Sequence, residues 1–186
     1  MIRMMKKRGN EIHFWQVWKL KRKIVTMTGI LGKVGRREEI LLGLFERSEK
    51  VMKRLAKEKE YEGYNHVDEE SLTIIAVQYR YDDEEDDGAF DEASDQCVHV
   101  GDLLDQALHD TGNGGIDGAE IGKGAAINFF QALDVELAFK TMVNVLHRHN
   151  LLEGAEIAVF HMEDAFIALY PEDADIKFTP SSAYES

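Results

Sequence analysis

Basic residues near the N-terminus have the types and spacing that binding to a polyanion requires. Lysines and arginines on bends can neutralise phosphates, and an aromatic ring among them can stack on an unpaired base. The candidate nucleic-acid-binding residues are Trp15, Lys19, Lys21, Arg22, Lys23, Lys33, Arg36 and Arg37. The same pattern is typical of a solvated surface, or of a basic face that docks against an acidic part of the same chain. The sequence leaves these three interpretations open.

The residue types that carry catalysis and metal binding are present without the necessary spacing. His147 and His149 are two residues apart at a predicted helix end, so their side chains diverge by about 200° and do not chelate one ion. Cys97 has no histidine beside it in sequence to activate it, and we expect it to be a small buried apolar residue. We therefore predict no catalytic residue, no metal, no cofactor and no enzymatic activity.

Two further segments resemble ligand loops only superficially. The acidic run Asp82–Gly88 lacks the alternating oxygen ligands and the flanking helices of an EF-hand, so it predicts a solvated loop. The glycines from Gly112 to Gly118 follow a predicted helix and precede a predicted strand. A dinucleotide loop needs the reverse order, so these glycines predict a turn.

Composition limits the class of protein and divides the chain in two. Of the 186 residues, 44% are hydrophobic and 31% are charged, which predicts a packed core. One cysteine predicts a reducing, cytoplasmic location, and no apolar run is long enough to span a bilayer. Residues 1–66 contain 17 Lys and Arg against 8 Asp and Glu, whereas residues 67–186 contain 5 against 27. This asymmetry predicts two domains with different surfaces.

Hydrophobic patterning predicts α+β folds for both domains. In residues 1–66 we expect three strands (13–18, 24–28 and 36–42) followed by a helix with Ser48 as its N-cap. In residues 67–175 we expect strand 71–79, an acidic loop 81–95, helix 102–110, strand 125–133, a helix capped by Asp134, and strands 156–162 and 165–170. That order predicts a ferredoxin-like α/β sandwich with a mixed sheet. Residues 176–186 predict a flexible tail.

The N-terminal pattern resembles a WGR domain. The resemblance covers about residues 11–66. It rests on three features: Phe14-Trp15, the Gly29-x-x-Gly32-x-x-Gly35 hairpin, and the lysine-rich helix that ends at Gly63-Tyr64. WGR domains occur in nuclear poly(ADP-ribose) polymerases, where they engage DNA ends, and in poorly characterised bacterial proteins. Thr28 and Ile30 stand where the family has the Trp and Arg from which its name is taken. Neither residue supplies an aromatic face or a guanidinium group that could bind phosphate. The resemblance therefore implies the fold rather than DNA-end recognition.

The second half resembles uncharacterised bacterial proteins that share Gly112-x-Gly114, Asp117-Gly118 and Gly122-x-Gly124 before an aromatic strand and Asp134. That resemblance implies no activity. We therefore expect a cytoplasmic bacterial binding protein that acts through protein–protein contact, with a protein partner or a homodimer. Homodimerisation would use an edge of the second sheet. The alternative is a nucleic-acid-binding accessory protein that uses the basic N-terminal domain.

Overall fold

The computed structural model describes residues 1–43, 46–82, 87–161, 165–172 and 178. Residue contacts divide the chain into two compact units. The first unit contains Met1–Ser71 together with Asp110–Gly112, and the second contains Leu72–His109 and Asn113–Ser186. Both units combine helices with antiparallel sheets, so the predicted α+β class is confirmed.

The first unit is a five-stranded antiparallel sheet with one helix. Its elements are β1 (Ile2–Arg8), β2 (Glu11–Leu20), β3 (Lys23–Ile30), β4 (Arg36–Leu41), α1 (Ser48–Tyr61), β5 (Asn65–His66) and a short 3-10 turn (Glu69–Ser71), with strand order β4-β3-β2-β1-β5. The prediction of three strands was wrong, because it lacked β1 and β5. The segment of β1 is rich in Met, Lys and Arg, and it pairs with β2 with Met4 buried opposite Trp15.

The core of the first unit lies between one face of the sheet and α1. Alternate strand residues point to this face, as the two-residue period of a strand requires. Its buried members are Met4, Trp15, Val17, Ile24, Leu42, Val51, Ala56 and Tyr64. The N-cap of α1 is Arg47, which makes no side-chain cap bond, so the prediction of Ser48 as the cap was wrong. Gly63 follows the helix with φ +88°, as predicted for a helix-terminal glycine.

The β3–β4 hairpin uses its glycines in two ways. Gly32 has φ +81°, the positive backbone angle that the sequence predicts for this turn. Gly29 and Gly35 are required by packing instead, because a Cβ on either would lie 2.7 or 2.6 Å from the buried Phe14 ring. The hairpin also donates two backbone hydrogen bonds, from Gly32 to the Thr111 carbonyl (3.0 Å) and from Gly35 to the Asp110 carbonyl (2.8 Å).

In its described residues, the second unit has two helices and a five-stranded sheet. Its elements are β6 (Thr73–Arg80), α2 (Asp87–Asp110, whose last residue belongs to the first unit), β7 (Gly114–Gly122), β8 (Ala125–Ala132), α3 (Val135–Arg148), β9 (Glu156–His161) and β10 (Ala165–Tyr170), with strand order β10-β9-β6-β8-β7. All paired neighbours are antiparallel, so the predicted mixed sheet was wrong. The ferredoxin-like assignment stays a prediction.

Two segments of the second unit differ from the sequence prediction. The predicted turn from Gly112 to Gly118 becomes β7 from Gly114 onward. Helix α2 begins at Asp87 rather than 102, because Ala93, Cys97, Val100, Leu104 and Leu108 form one buried helical stripe. The predicted acidic loop is therefore helical from residue 87, while its residues 83–86, like the predicted tail apart from residue 178, lie outside the described residues.

The start of α3 is held by Asp134 and Asn113. The Asp134 carboxylate accepts from the Leu137 N–H (3.0 Å), which confirms Asp134 as the N-cap. The fully buried Asn113 donates to the Asp134 carbonyl (2.8 Å) and accepts from its N–H (2.9 Å). After the helix, Asn150 has φ +57°, the left-handed conformation that asparagine often adopts beyond a helix end.

The Asp134 cap makes a measurable contribution to stability. We expect Asp134→Ala to lower the free energy of unfolding by about 1 kcal/mol, because the Leu137 N–H loses its acceptor. Urea denaturation measures this change. Asp134→Asn is the control, since asparagine caps a helix equally well. An equal loss in both variants would show that the charge, rather than the cap bond, is responsible.

Candidate functional site

Basic side chains surround a cleft of about 620 Å³ in the first unit. It lies between the β2–β3 turn and the residues at the start of α1. Its lining, which defines the basic cleft, is Lys19, Lys21, Arg22, Leu42, Gly43, Glu46, Arg47, Ser48 and Glu49. Three of the eight predicted candidates, Lys19, Lys21 and Arg22, are thereby brought together.

The local fold explains why these cations converge. The turn between β2 and β3 has only two residues, and Lys21 takes φ +54° there. Arg22 is the second turn residue, and its carbonyl accepts from the Leu42 N–H (3.0 Å). This bond places the chain after β4 beside the turn. Arg47, at the N-cap of α1, supplies the fourth cation of the cleft.

The four cations of the basic cleft outnumber the two carboxylates in its lining, those of Glu46 and Glu49. Among the described residues, Lys19, Lys21, Arg22 and Arg47 form no ion pair within 4.0 Å. The Glu46 carboxylate in the lining accepts from the Gly43 N–H (2.9 Å). Like charges gathered around one cavity raise its potential, and an anion that enters lowers that repulsion.

The basic surface extends from the cleft along α1. A second cleft of about 500 Å³ shares Glu46 and Arg47 with the first and adds Lys50, Val51 and Arg54. The sequence analysis missed Arg47, Lys50 and Arg54 as members of this surface. Their spacing was the available signal, since Lys50 and Arg54 are four residues apart and lie on one helical face.

Four other predicted candidates pair with carboxylates away from the cleft. Lys23 and Arg37 both bind Glu39, at 2.5 and 2.9 Å. The hydrogen bond from Lys23, followed by that from Arg37, lowers the pKa of Glu39. Arg36 binds Glu38 at 2.6 Å, and Lys33 lies 3.7 Å from Glu11. These four cations are therefore already compensated within the sheet and its hairpin.

The eighth candidate, Trp15, does not belong to the surface. Its side chain is 3% exposed and packs in the core of the first unit, so its ring faces are covered and it cannot stack on a base as predicted. Trp18 lies under the Arg37 guanidinium, whose carbon is 6.0 Å from the ring. The structure thus brings together the cations of the β2–β3 turn without an aromatic platform.

The thiol of Cys97 is a potentially reactive group in the described part of the second unit. This side chain is 2% exposed, and burial raises the pKa of the thiol. Asn128 donates to the Cys97 carbonyl (3.0 Å) and fixes this segment of α2. A buried thiol with a raised pKa is a poor nucleophile. In the part of the chain that the structure describes, no three His, Cys, Asp or Glu side chains converge as a metal site requires.

The sequence matches no protein-family model, no curated protein and no solved structure. None of the described helices is long and apolar enough to cross a membrane. The basic cleft can hold an anionic group through several cations at once.

Proposed function

We propose that this chain is a binding protein without enzymatic activity, and that its basic cleft binds an acidic segment of a partner protein. The observation that carries the proposal is the convergence of four cations on one cavity, Lys19, Lys21, Arg22 and Arg47. None of the four forms an ion pair with a residue that the structure describes. A bacterial, cytoplasmic protein with a WGR-like first unit is part of the same proposal.

The composition of the cleft favours an acidic protein segment over a nucleic acid. The lining includes the carboxylates of Glu46 and Glu49 and the apolar side chain of Leu42. Carboxylates inside the cleft repel a continuous phosphate backbone, whereas a peptide alternates charged, polar and apolar groups and can avoid them. The burial of Trp15 removes the expected stacking platform as well.

A second candidate function is binding to a nucleic acid, favoured by the solvent face of α1. Lys50, Lys53, Arg54 and Lys57 are all exposed, and their spacing of three or four residues aligns them along one face. This stripe continues the cations of the basic cleft through Arg47. A row of cations over about two turns of the helix would follow a phosphate backbone without reading its bases.

A charge-reversal experiment on the full chain tests both functions. We expect Lys21→Glu/Arg22→Glu to weaken binding of a fluorescently labelled glutamate-rich peptide at least about tenfold, because two attractive charges become repulsive. Lys33→Glu/Arg36→Glu is the control with the same change in net charge, made at residues that pair with Glu11 and Glu38. Fluorescence anisotropy measures both variants.

Three results of this experiment would decide between the functions. Equal loss in the two variants would show that only net charge matters and would overturn the proposed site. Absence of peptide binding by the unmodified chain at low salt would overturn the proposed function. Tighter binding of labelled single-stranded or duplex DNA than of the peptide, lost on Lys53→Glu/Lys57→Glu, would replace it with the second candidate.

A further inference from the structure

A separate pocket of about 380 Å³ lies in the first unit, between the sheet and the C-terminal half of α1. Strands β2, β3 and β4 line one side of it, and α1 lines the other. It shares no lining residue with the basic cleft. The lining of this mixed-charge pocket includes Trp15, Thr26, Thr28, Leu55, Glu58 and Lys59.

Strand register explains why the sheet residues of the pocket lie together. Trp15 is opposite Thr28, and Thr28 is opposite Arg36, so their side chains are neighbours on one face of the sheet. Thr26 is two residues from Thr28, so it belongs to the same face, and it lies opposite Glu38. The sheet therefore presents two adjacent hydroxyl groups beside a row of charged side chains.

The pocket contains one carboxylate more than its cations compensate. Arg36 binds Glu38 at 2.6 Å, and Lys59 binds Glu62 at 2.7 Å. Glu58 is one turn from Glu62 on the same helical face, and it forms no ion pair within 4.0 Å with a described residue. A cationic group in the pocket would supply the counter-charge of Glu58.

The hydroxyl of Thr26 independently indicates a ligand. This side chain is only 7% exposed, yet its hydroxyl forms no hydrogen bond with another described residue. It points to the α1 side of the sheet, like its cross-strand neighbour Val17 in the core, and it lines the pocket. Buried polar groups are nearly always hydrogen-bonded. A ligand N–H in the pocket would give the Thr26 oxygen the partner that the protein does not supply.

Apolar side chains complete the lining. Ile40 on β4 is 40% exposed, and Leu55 on α1 is half-buried. Both line the pocket together with the charged groups. A ligand with methylene groups behind its cationic head would cover them.

We propose that the mixed-charge pocket binds a guanidinium group on an aliphatic chain, as in arginine. A guanidinium presents five N–H donors in one plane, so it can bind the Glu58 carboxylate and donate to the Thr26 hydroxyl at once. Residues 1–66 are basic overall, but at physiological salt charges farther away than about 8 Å are largely screened. The contacts inside the pocket therefore determine the charge of the ligand.

NMR titration of the isotope-labelled full chain tests the ligand class. The probe is N-acetyl-arginine amide, and its control is N-acetyl-citrulline amide, which has the same shape without the charge. We expect the Trp15 indole N–H signal to shift to saturation, with a dissociation constant at least about fivefold lower for arginine than for citrulline. Trp18 is three residues away and therefore on the opposite face of β2, so its signal is the internal reference.

Two results of the titration would overturn the proposal, and a third probe distinguishes the source of the ligand. Equal affinity for the two amides would show that the charge is not recognised. Absence of saturation up to about 20 mM arginine amide would show that the pocket does not bind this group. Given binding, equal affinity for butylguanidinium supports a free small molecule, whereas tighter binding of the amide supports an arginine within a peptide.

Variants locate the binding to the proposed contacts. We expect Glu58→Gln and Thr26→Val each to raise the dissociation constant about threefold or more, since each removes one partner of the guanidinium. Valine keeps the branched shape of Thr26, so the strand is preserved. Glu60→Gln is the control with the same change in charge, because Glu60 contacts His66 outside the pocket.

Unchanged affinity in Glu58→Gln or in Thr26→Val would overturn the proposal. An equal loss in Glu60→Gln would do so as well, because it would show that only net charge matters. Peptide binding in the basic cleft should persist in all three variants. Failure of the mixed-charge pocket to bind a guanidinium therefore leaves the proposed function separately testable.

Discussion

Replacing Gly114 with alanine is expected to lower the free energy of unfolding by about 3–5 kcal/mol, one of the two largest effects expected for this chain. A Cβ at this position would lie far inside 3.0 Å of the Gln131 carbonyl oxygen, on the neighbouring strand β8. The backbone of β8 cannot move away from this Cβ without a large cost in free energy. Separation of β7 from β8 would also strain the bond from the Leu133 N–H to the Asn113 carbonyl (2.9 Å).

The same strand offers a matched control for Gly114. A Cβ on Gly118 meets no atom within 4 Å, and Gly118 is not among the positive-φ glycines. We expect Gly118→Ala to change the free energy of unfolding by less than about 0.5 kcal/mol. Urea denaturation of both variants measures the difference. Comparable losses would show that alanine weakens β7 generally and that the Gln131 carbonyl is not the cause.

The second large effect is expected where Phe14 packs against glycine. We expect Phe14→Ala to cost about 3–5 kcal/mol, because it empties a buried site. We expect Gly35→Ala to cost about 1–3 kcal/mol, since its Cβ would lie 2.6 Å from the Phe14 ring and 2.9 Å from Met27 Cγ. In the double variant the new methyl enters the space that the ring has left. The losses in the free energy of unfolding of the two single variants should therefore add up to at least about 1 kcal/mol more than the loss in the double variant.

Val34 provides the control for this double-mutant cycle. It lies in the same hairpin, but its side chain is 78% exposed. We expect Val34→Ala and Phe14→Ala to be additive within about 0.5 kcal/mol. Strict additivity of Gly35→Ala and Phe14→Ala would show that the ring and the glycine do not restrict each other. The close approach would then be irrelevant to stability.

These glycines show where reasoning from sequence reaches its limit. Their spacing predicts a hairpin, and the positive φ of Gly32 confirms that a local conformational preference was readable. Position 35 requires glycine because a Cβ there would clash with the Phe14 ring. Phe14 is 21 residues earlier in the sequence, so a local sequence pattern does not reveal this requirement. For the same reason Gly114 was assigned to a turn, since its requirement arises from the backbone of another strand.

Helix prediction succeeded for α3, whose buried stripe consists mainly of large apolar residues. It failed for the first turns of α2, where acidic residues lie between small apolar ones. Asp134 was correctly predicted as the N-cap of α3, because capping depends on the residue itself. The first turns of α2 carry Asp87, Asp91, Glu92 and Asp95. Their charge indicated a loop, whereas Ala93 and Cys97 begin the buried stripe. Small apolar residues give a weak signal in such a segment.

The candidate site was predictable in part. A two-residue turn rich in cations is visible in the sequence, and Lys19, Lys21 and Arg22 do line the cleft. Arg47 joins them through the fold, and the four cations near β4 are neutralised by Glu11, Glu38 and Glu39. Which cations remain without a counter-charge depends on strand register, which composition does not contain.

The chain leaves the first unit at Ser71 and returns to it for only three residues, Asp110–Gly112. Those residues accept the N–H bonds of Gly32 and Gly35. A fragment that stops at residue 71 would therefore lack both acceptors, Asp110 and Thr111, and would also lack Gly112. No single cut yields this domain intact, and an attempt to isolate it would need those residues supplied by a circularly rearranged chain or by a separate peptide.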